Sequence, residues 1–427
     1  MRSWRRAPWW WTTSPPTAWW AAIPRVCCPG PRVDPARRDR GRCDMQVSTL
    51  TRYPRIGTVP RVVVLISTRI VGGPAKGLLQ VIPELHRRGR FEVVLCTFAD
   101  AKETESPFIT AARERGIPVT ILRQRHHWDL RPLSVLRELL DPPGAIIQTH
   151  GYKEAVFGLA VKRLSGRPWI AFMHGTTEEN LKVRLYHRLD RALTKRADII
   201  VSVSRELADR MLRPRHRAKL AIIENAVERP REALVARRTL RQVWQTRGWV
   251  IGCIGRLSRE KGQLLLLEAA GRLVRQGARF TLIVAGDGPD RDVLQEKAQS
   301  EGVAGCVRLL GHVARTDDIY ANIDMLVLPS YREGMPNVIL EAMQWRLPIV
   351  STAVGAVPEM LVHGVSGLLV RPGDPIALAR AMASVMGDPD KAVRMGRKAA
   401  EALYPRFSPE RRVERFENLY SRVLEAV

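Results

Sequence analysis

Met325–Trp345 reads MLVLPSYREGMPNVILEAMQW: a short apolar run, a polar loop holding Gly334 and Pro336, then an amphipathic stretch. The run suits a buried strand, and Pro336 and Asn337 suit the opening of a helix. The backbone N–H groups of Asn337 and Val338 then lie at a helix N-terminus, where unpaired donors and the positive dipole end favour a diphosphate. Glu333 stands in the loop and Glu341 about one turn inside the helix. Such a spacing can put one carboxylate on each side of a bound diphosphate, one facing sugar hydroxyls and the other a ribose. On spacing alone, a surface glutamate and a helix-face charge fit equally well.

The same strand–loop–helix pattern appears upstream in Val250–Gly262 (VIGCIGRLSREKG), with Gly255, Arg256 and Lys261 between strand and helix. Two cations there would neutralise a departing nucleotide diphosphate, although surface Arg–Lys pairs are commoner than phosphate clamps. Further out the rhythm continues. Arg61–Ser67, Phe91–Thr97, Val119–Leu122, Ala145–Gln148, Trp169–Met173, Asp198–Val203 and Lys219–Ile223 read as strands. After a polar connector, Glu228–Gly248, come Val250–Ile254, Phe280–Ala285, Val307–Leu310, Met325–Pro329, Pro348–Ser351 and Gly367–Val370. Strands that are apolar throughout and separated by helical stretches, such as Lys76–Arg88 and Gln263–Gln276, indicate parallel sheets covered on both faces. The expected fold is α/β, two doubly wound domains with a cleft between the carboxyl ends of their sheets. The expected boundaries are a domain over 45–228, a linker over 229–247 and a second domain over 248–408. A C-terminal helix over 409–427 crosses back to the first domain.

Residues 1–44 differ from the rest. They hold six of the eleven Trp, seven Pro and nine Arg, with no Lys or Leu. Such text supports neither a core nor a helical or strand period, and it reads as an unfolded tail, with translation starting at Met45. The whole chain of 427 residues carries +26, and the body without the tail's nine Arg and three Asp keeps +20. That field attracts polyanions of any kind: nucleic acid, anionic lipid or phosphorylated substrate. No apolar run reaches the roughly 18 residues of a membrane span. Cys96, Cys253 and Cys306 are far apart in apolar text, which argues against disulfides and zinc and for a cytoplasmic protein.

Four strings in order, GRLSREKG, VAGDGPDRDVL, EGMPNVILEAM and VGAVPEMLVHGVSGLLVRPGD, resemble the retaining GT-B glycosyltransferases of family 4 (glycosyl transferases group 1) over roughly residues 60–427. Glu333 and Glu341 fall on that family's E-x₇-E signature. The resemblance implies two Rossmann-like domains and a hexosyltransferase-type enzyme (EC 2.4) that needs no metal or other cofactor. Arg256 and Lys261 would bind the donor pyrophosphate. Glu333, with the backbone of Gly334 and Met335, would contact the donor sugar, and Glu341 the ribose. Gly72 and Gly73 match the family's glycine loop near the donor phosphates, and His174 its cleft histidine beside the sugar. Three departures stand out. Pro74-Ala75-Lys76 replaces an acidic continuation, Asn225-Ala226-Val227-Glu228 replaces N-G-V-D, and Arg346 replaces a glycine after the E-x₇-E helix.

The implied reaction moves a sugar from a UDP- or GDP-linked donor to a glycan or lipid-linked acceptor, with bacterial exopolysaccharide or envelope synthesis as the setting. Two alternatives compete: a non-hydrolysing nucleotide-sugar epimerase of the same fold, and a basic nucleic-acid-binding protein. Against the second, the Arg residues are spread and no RNP, zinc-finger or helix-turn-helix signature occurs. Asp290-Arg291-Asp292 is a literal D-x-D, but it follows a glycine turn at a helix start, where acids suit the dipole. His126-His127 lacks a third metal ligand nearby. His150, at a strand end, reads as a cleft residue or a satisfied structural histidine. Arg184, Arg188, Arg191, Lys195 and Arg196, interleaved with Leu181, Leu185, Leu189 and Leu193, make a basic amphipathic helix. It fits docking on an anionic membrane surface and a core-packed helix equally.

Overall fold

The computed structural model describes residues 59–426 apart from 101–104, 127–128, 174–180 and 229–236; for 100, 181–187, 237–239 and 405 it describes the backbone only. The 1–44 tail and His127 lie outside the described residues. The first sheet contains β1 (Arg61–Ile66), β2 (Glu92–Asp100), β3 (Val119–Gln124), β4 (Ile146–His150), β5 (Trp169–Met173), β6 (Ile199–Ser202) and β7 (Leu220–Ile222). Their order is 3-2-1-4-5-6-7, all parallel. The second contains β8 (Trp249–Ile254), β9 (Phe280–Ala285), β10 (Val307–Gly311), β11 (Met325–Leu328), β12 (Ile349–Thr352) and β13 (Leu368–Val370). Its order is 10-9-8-11-12-13, again parallel. Every strand expected from the β-branched runs is present, and the α/β architecture with two doubly wound sheets is confirmed.

Burial follows the sequence pattern. Val62–Ile66 of β1 are all within 2% of complete burial, as a strand covered on both faces requires. One apolar cluster runs without a break from β1, β4 and β5 through Leu207 and Met211 to Met335, Ile339 and Val357. The two sheets therefore share a packed seam below the cleft.

The Pro409–Glu425 helix opens on Ser408, whose hydroxyl accepts from the Arg411 N–H. Val413, Phe416, Leu419, Tyr420 and Val423 are buried in the same cluster as Leu78, Ile82 and Leu85 of the Gly73–Arg88 helix. Arg88 donates to Glu417 at 3.1 Å across this contact. Tyr420 donates to Gln148 at 2.8 Å, and Gln148 in turn lies 2.7 Å from His150 Nε2, whose ring stacks on Phe172 at 4.4 Å. His150 is thus a buried, held histidine.

A polar belt ties the chain on either side of the connector. Glu224, 5% exposed, accepts from Arg406 Nε at 2.7 Å and Arg415 Nη1 at 2.5 Å, and Arg406 also donates to the Glu359 carbonyl at 2.7 Å. The Glu359 carboxylate accepts the Glu206 N–H at 3.0 Å, at the start of the Arg205–Met211 helix.

Cys96 and Cys253 are buried, and burial pushes each thiol up to about 12, so both act as small apolar side chains. Among the described residues, no helix is long and apolar enough to cross a membrane. The Leu181–Thr194 helix forms as expected; Leu193 is buried and Leu189 partly exposed.

Candidate functional site

In each sheet the strand order reverses at one point, between β1 and β4 and between β8 and β11. Crevices outside the carboxyl ends at such points are where doubly wound folds bind ligands. Gly72 and Gly73 follow β1. Arg256 and Lys261 follow β8. The loop holding Glu333, Gly334 and Met335 follows β11 and leads into the Asn337–Gln344 helix. A Cβ on Gly73 would sit 3.8 Å from Asn337 Nδ2, so the glycine loop of the first half meets the helix start of the second.

The carboxylates are held from several sides. Glu333, 8% exposed, receives Lys261 Nζ on both oxygens at 2.8 and 2.9 Å and the Ser330 hydroxyl at 2.7 Å. Thr352 in turn donates to the Ser330 carbonyl at 2.6 Å. Glu341, 9% exposed, receives Tyr320 OH on Oε2 at 2.7 Å, while Lys76 from the first half bonds Oε1. Burial first, then the Glu341 charge, pushes the Tyr320 phenol well above its ordinary value, so it remains a donor.

Two glycines set this geometry. Gly262 has φ +68°, and a Cβ there would lie 2.1 Å from the Pro329 carbonyl oxygen; at Gly355, φ +55°, it would lie 2.3 Å from that of Glu333. The backbones pack at a distance that only glycine permits. Arg346 takes φ +53°, in the left-handed region that favours glycine. Asn225 clasps the loop from the connector side, its side-chain amide donating to the Met335 carbonyl at 3.0 Å.

Some of the buried polar atoms without a protein partner belong to the loops and the helix start at this site. Ser258 Oγ, Gln263 Oε1 and Asn337 Oδ1 are buried and unpaired, although Gln263 donates through Nε2 to the Arg256 carbonyl at 2.9 Å. On the first half, Glu154 opens the Tyr152–Ser165 helix after β4 with Oε1 buried and unpaired. Burial pushes its carboxyl up from 4.5 to about 8, against its own N–H, the Lys153 charge and the Ser67 N–H.

This shift has a pH consequence. Between pH 4.5 and about 8 the folded protein keeps a proton that the unfolded chain has released. Stability therefore falls as pH rises through that window, by at most ~1.4 kcal/mol per pH unit. Glu154→Gln removes the slope, so melting curves should show the variant gaining on the parent from pH 5 to pH 8. A melting-temperature difference that is constant with pH would contradict this.

The structure brings together Gly73, Lys261, Glu333, Gly334, Met335, Asn337, Val338 and Glu341, with Gly72 and Arg256 on the adjoining loops. His174 lies outside the described residues. Among the described residues no group of three or more His, Cys, Asp or Glu could hold a metal ion. Sequence reasoning missed Lys76, Tyr320, Ser330 and Asn225. Only Asn225 and Lys76 had a signal, Asn225 as the retained first residue of a hinge motif and Lys76 in the departure after the glycine loop.

Two family models match the chain: "Glycosyltransferase Family 4" over residues 71–231 and "Glycosyl transferases group 1" over residues 248–388, together well over half of it. The chain belongs to the group 1, family 4 glycosyltransferases. Glycogen synthase of Mycobacterium tuberculosis is 28% identical over 269 residues, which is 60% of this chain and 64% of that protein. The lipopolysaccharide core biosynthesis mannosyltransferase LpcC of Rhizobium leguminosarum is 31% identical over 41% of this chain and 51% of its own length. Each match thus spans less than two thirds of the curated relative. In three dimensions, Anabaena HepE in complex with UDP-glucose superposes with a TM-score of 0.73 at 22% identity, covering 84% of this chain and 99% of that one. The fold is GT-B.

Proposed function

We propose that the protein is a retaining glycosyltransferase that moves a sugar from a nucleotide diphosphate sugar to a glycan or lipid-linked acceptor. The observation that carries this reading is the E-x₇-E pair at the mouth of the Asn337–Gln344 helix, one acid on Lys261 and the other on Tyr320. In this reading the diphosphate sits at the N–H groups of Asn337 and Val338 beside Gly72 and Gly73. Arg256 and Lys261 take up the charge of the leaving group without a metal ion. Glu341 accepts the ribose hydroxyls. Glu333, with the Gly334 and Met335 backbone, faces the sugar, and His174 is assigned to the sugar by the resemblance alone.

A retaining glycosidase would set two carboxyls about 5 Å apart, one of them as nucleophile. Here the acceptor attacks on the leaving-group face, and the donor's own phosphate oxygen takes the acceptor's proton. The protein contributes positioning and charge stabilisation. The structural relative HepE is complexed with UDP, and separately with UDP-glucose, so UDP-linked donors are the first to try. Exopolysaccharide or envelope synthesis at the inner face of the cell membrane fits LpcC's named role and the basic Leu181–Thr194 helix. The test is a transfer reaction followed by proton NMR of the new glycosidic bond. An α-linked product from an α-linked donor supports the proposal, and a β-linked product refutes retention.

A further inference from the structure

Lys76 occupies the carboxylate that the donor's ribose needs. It lies in the first turn of the Gly73–Arg88 helix, three residues after Gly73, and bonds Glu341 Oε1 across the cleft. The other oxygen of Glu341 is taken by Tyr320, itself 1% exposed. A ribose diol that takes both oxygens of this carboxylate must therefore share Oε1 with the lysine or displace it. Lys76 keeps 40% of its side chain exposed and Glu341 only 11%. The ammonium is the mobile partner, on a flexible four-carbon stem. Glu341 is one helical turn, about 5.4 Å, from the Asn337 end of its helix. A swing of one turn toward that end takes the ammonium to where the diphosphate is read to lie.

We propose that Lys76 is a third diphosphate-binding cation, supplied by the first half of the protein. It gives up Glu341 to the ribose and bonds the donor's phosphate oxygens as the donor enters. The exchange is balanced in charge: the ammonium leaves one carboxylate and meets a dianion, while Glu341 trades an ion pair for two hydroxyl donors. The inference rests on the donor-site reading above.

The test compares two ligands, the nucleoside diphosphate that binds tightest among UDP, GDP and ADP, and its bare nucleoside. Both are titrated calorimetrically into the full chain and into Lys76→Met and Lys76→Arg. In Lys76→Met the diphosphate should weaken about tenfold or more, the loss of one charge-assisted hydrogen bond. The nucleoside should bind as well or better, because its competitor for Glu341 is gone. Lys76→Arg should restore most of the diphosphate affinity. Equal weakening of both ligands, or no change in either, overturns the proposal and leaves Lys76 as a strut between the halves. If the parent protein binds no nucleoside diphosphate, the donor-site reading falls and this inference falls with it. A melting curve for each variant separates misfolding from lost binding, and a misfolded Lys76→Met is replaced by Lys76→Gln for the same comparison.

Discussion

Glu333→Gln should bind the nucleoside diphosphate as tightly as the parent or more tightly, while its rate of sugar transfer falls at least about a hundredfold. The carboxylate is almost buried and takes both hydrogen bonds of the Lys261 ammonium, with Ser330 as a third donor. The cation assigned to the diphosphate is thus neutralised by the acid assigned to the sugar. Glutamine keeps the shape and the Ser330 contact but removes the negative charge. That frees Lys261 for the phosphates, which lowers no part of nucleotide affinity. Transfer suffers because the reacting sugar develops positive character in an oxocarbenium-like transition state, and Glu333 is the charge placed to meet it. Initial rates and calorimetry on the same preparation check both halves. If the folded variant loses nucleotide binding, Glu333 belongs to the nucleotide and its assignment to the sugar is wrong.

Glu224→Ala should lower the protein's stability by ~3 kcal/mol, near the bottom of the range for stripping one partner from a buried ion pair. The carboxylate is 6% exposed, while Arg406 and Arg415 keep 43% and 27% of their side chains exposed. Water therefore screens the two guanidiniums once their acid is gone, which is why the upper end of the range is not expected. What remains is two like charges on the last two helices, with Arg406 still bonded to the Glu359 carbonyl. A thermal melt reads this directly. Because Glu224 precedes Asn225, which clasps Met335, the same variant should also bind nucleotide more weakly. An unchanged melting temperature would mean that the belt is ornamental.

The strands could be located from sequence because runs such as Arg61–Ser67 and Phe280–Ala285 are apolar throughout and bounded by turn residues. The helix start at Asn337 was legible for a local reason as well, the proline before it. Contacts between distant residues left no such trace. Lys76 and Glu341 are 265 positions apart, and Asn225 and Met335 are 110 apart. No period or propensity pairs them; only the closure of the two sheets on each other does. Tyr320 reads as an ordinary core aromatic in ARTDDIYANID, and its hydroxyl matters only because the fold sets it behind Glu341. The buried Arg412, packed beside Gly77 and over the Phe416 ring, is likewise invisible in a helix written PERRVERFENLY.

The central claim is that the E-x₇-E cleft, and not the chain's excess of positive charge, is what recognises a ligand. Calorimetric titration of the protein with UDP, GDP, ADP and a short oligonucleotide, at low and at moderate salt, tests it directly. The account predicts a preference for one nucleoside diphosphate that persists at moderate salt and disappears in Lys261→Ala. Salt-sensitive oligonucleotide binding with no preference among the diphosphates would contradict it, because screened phosphate contacts would then be all the protein offers.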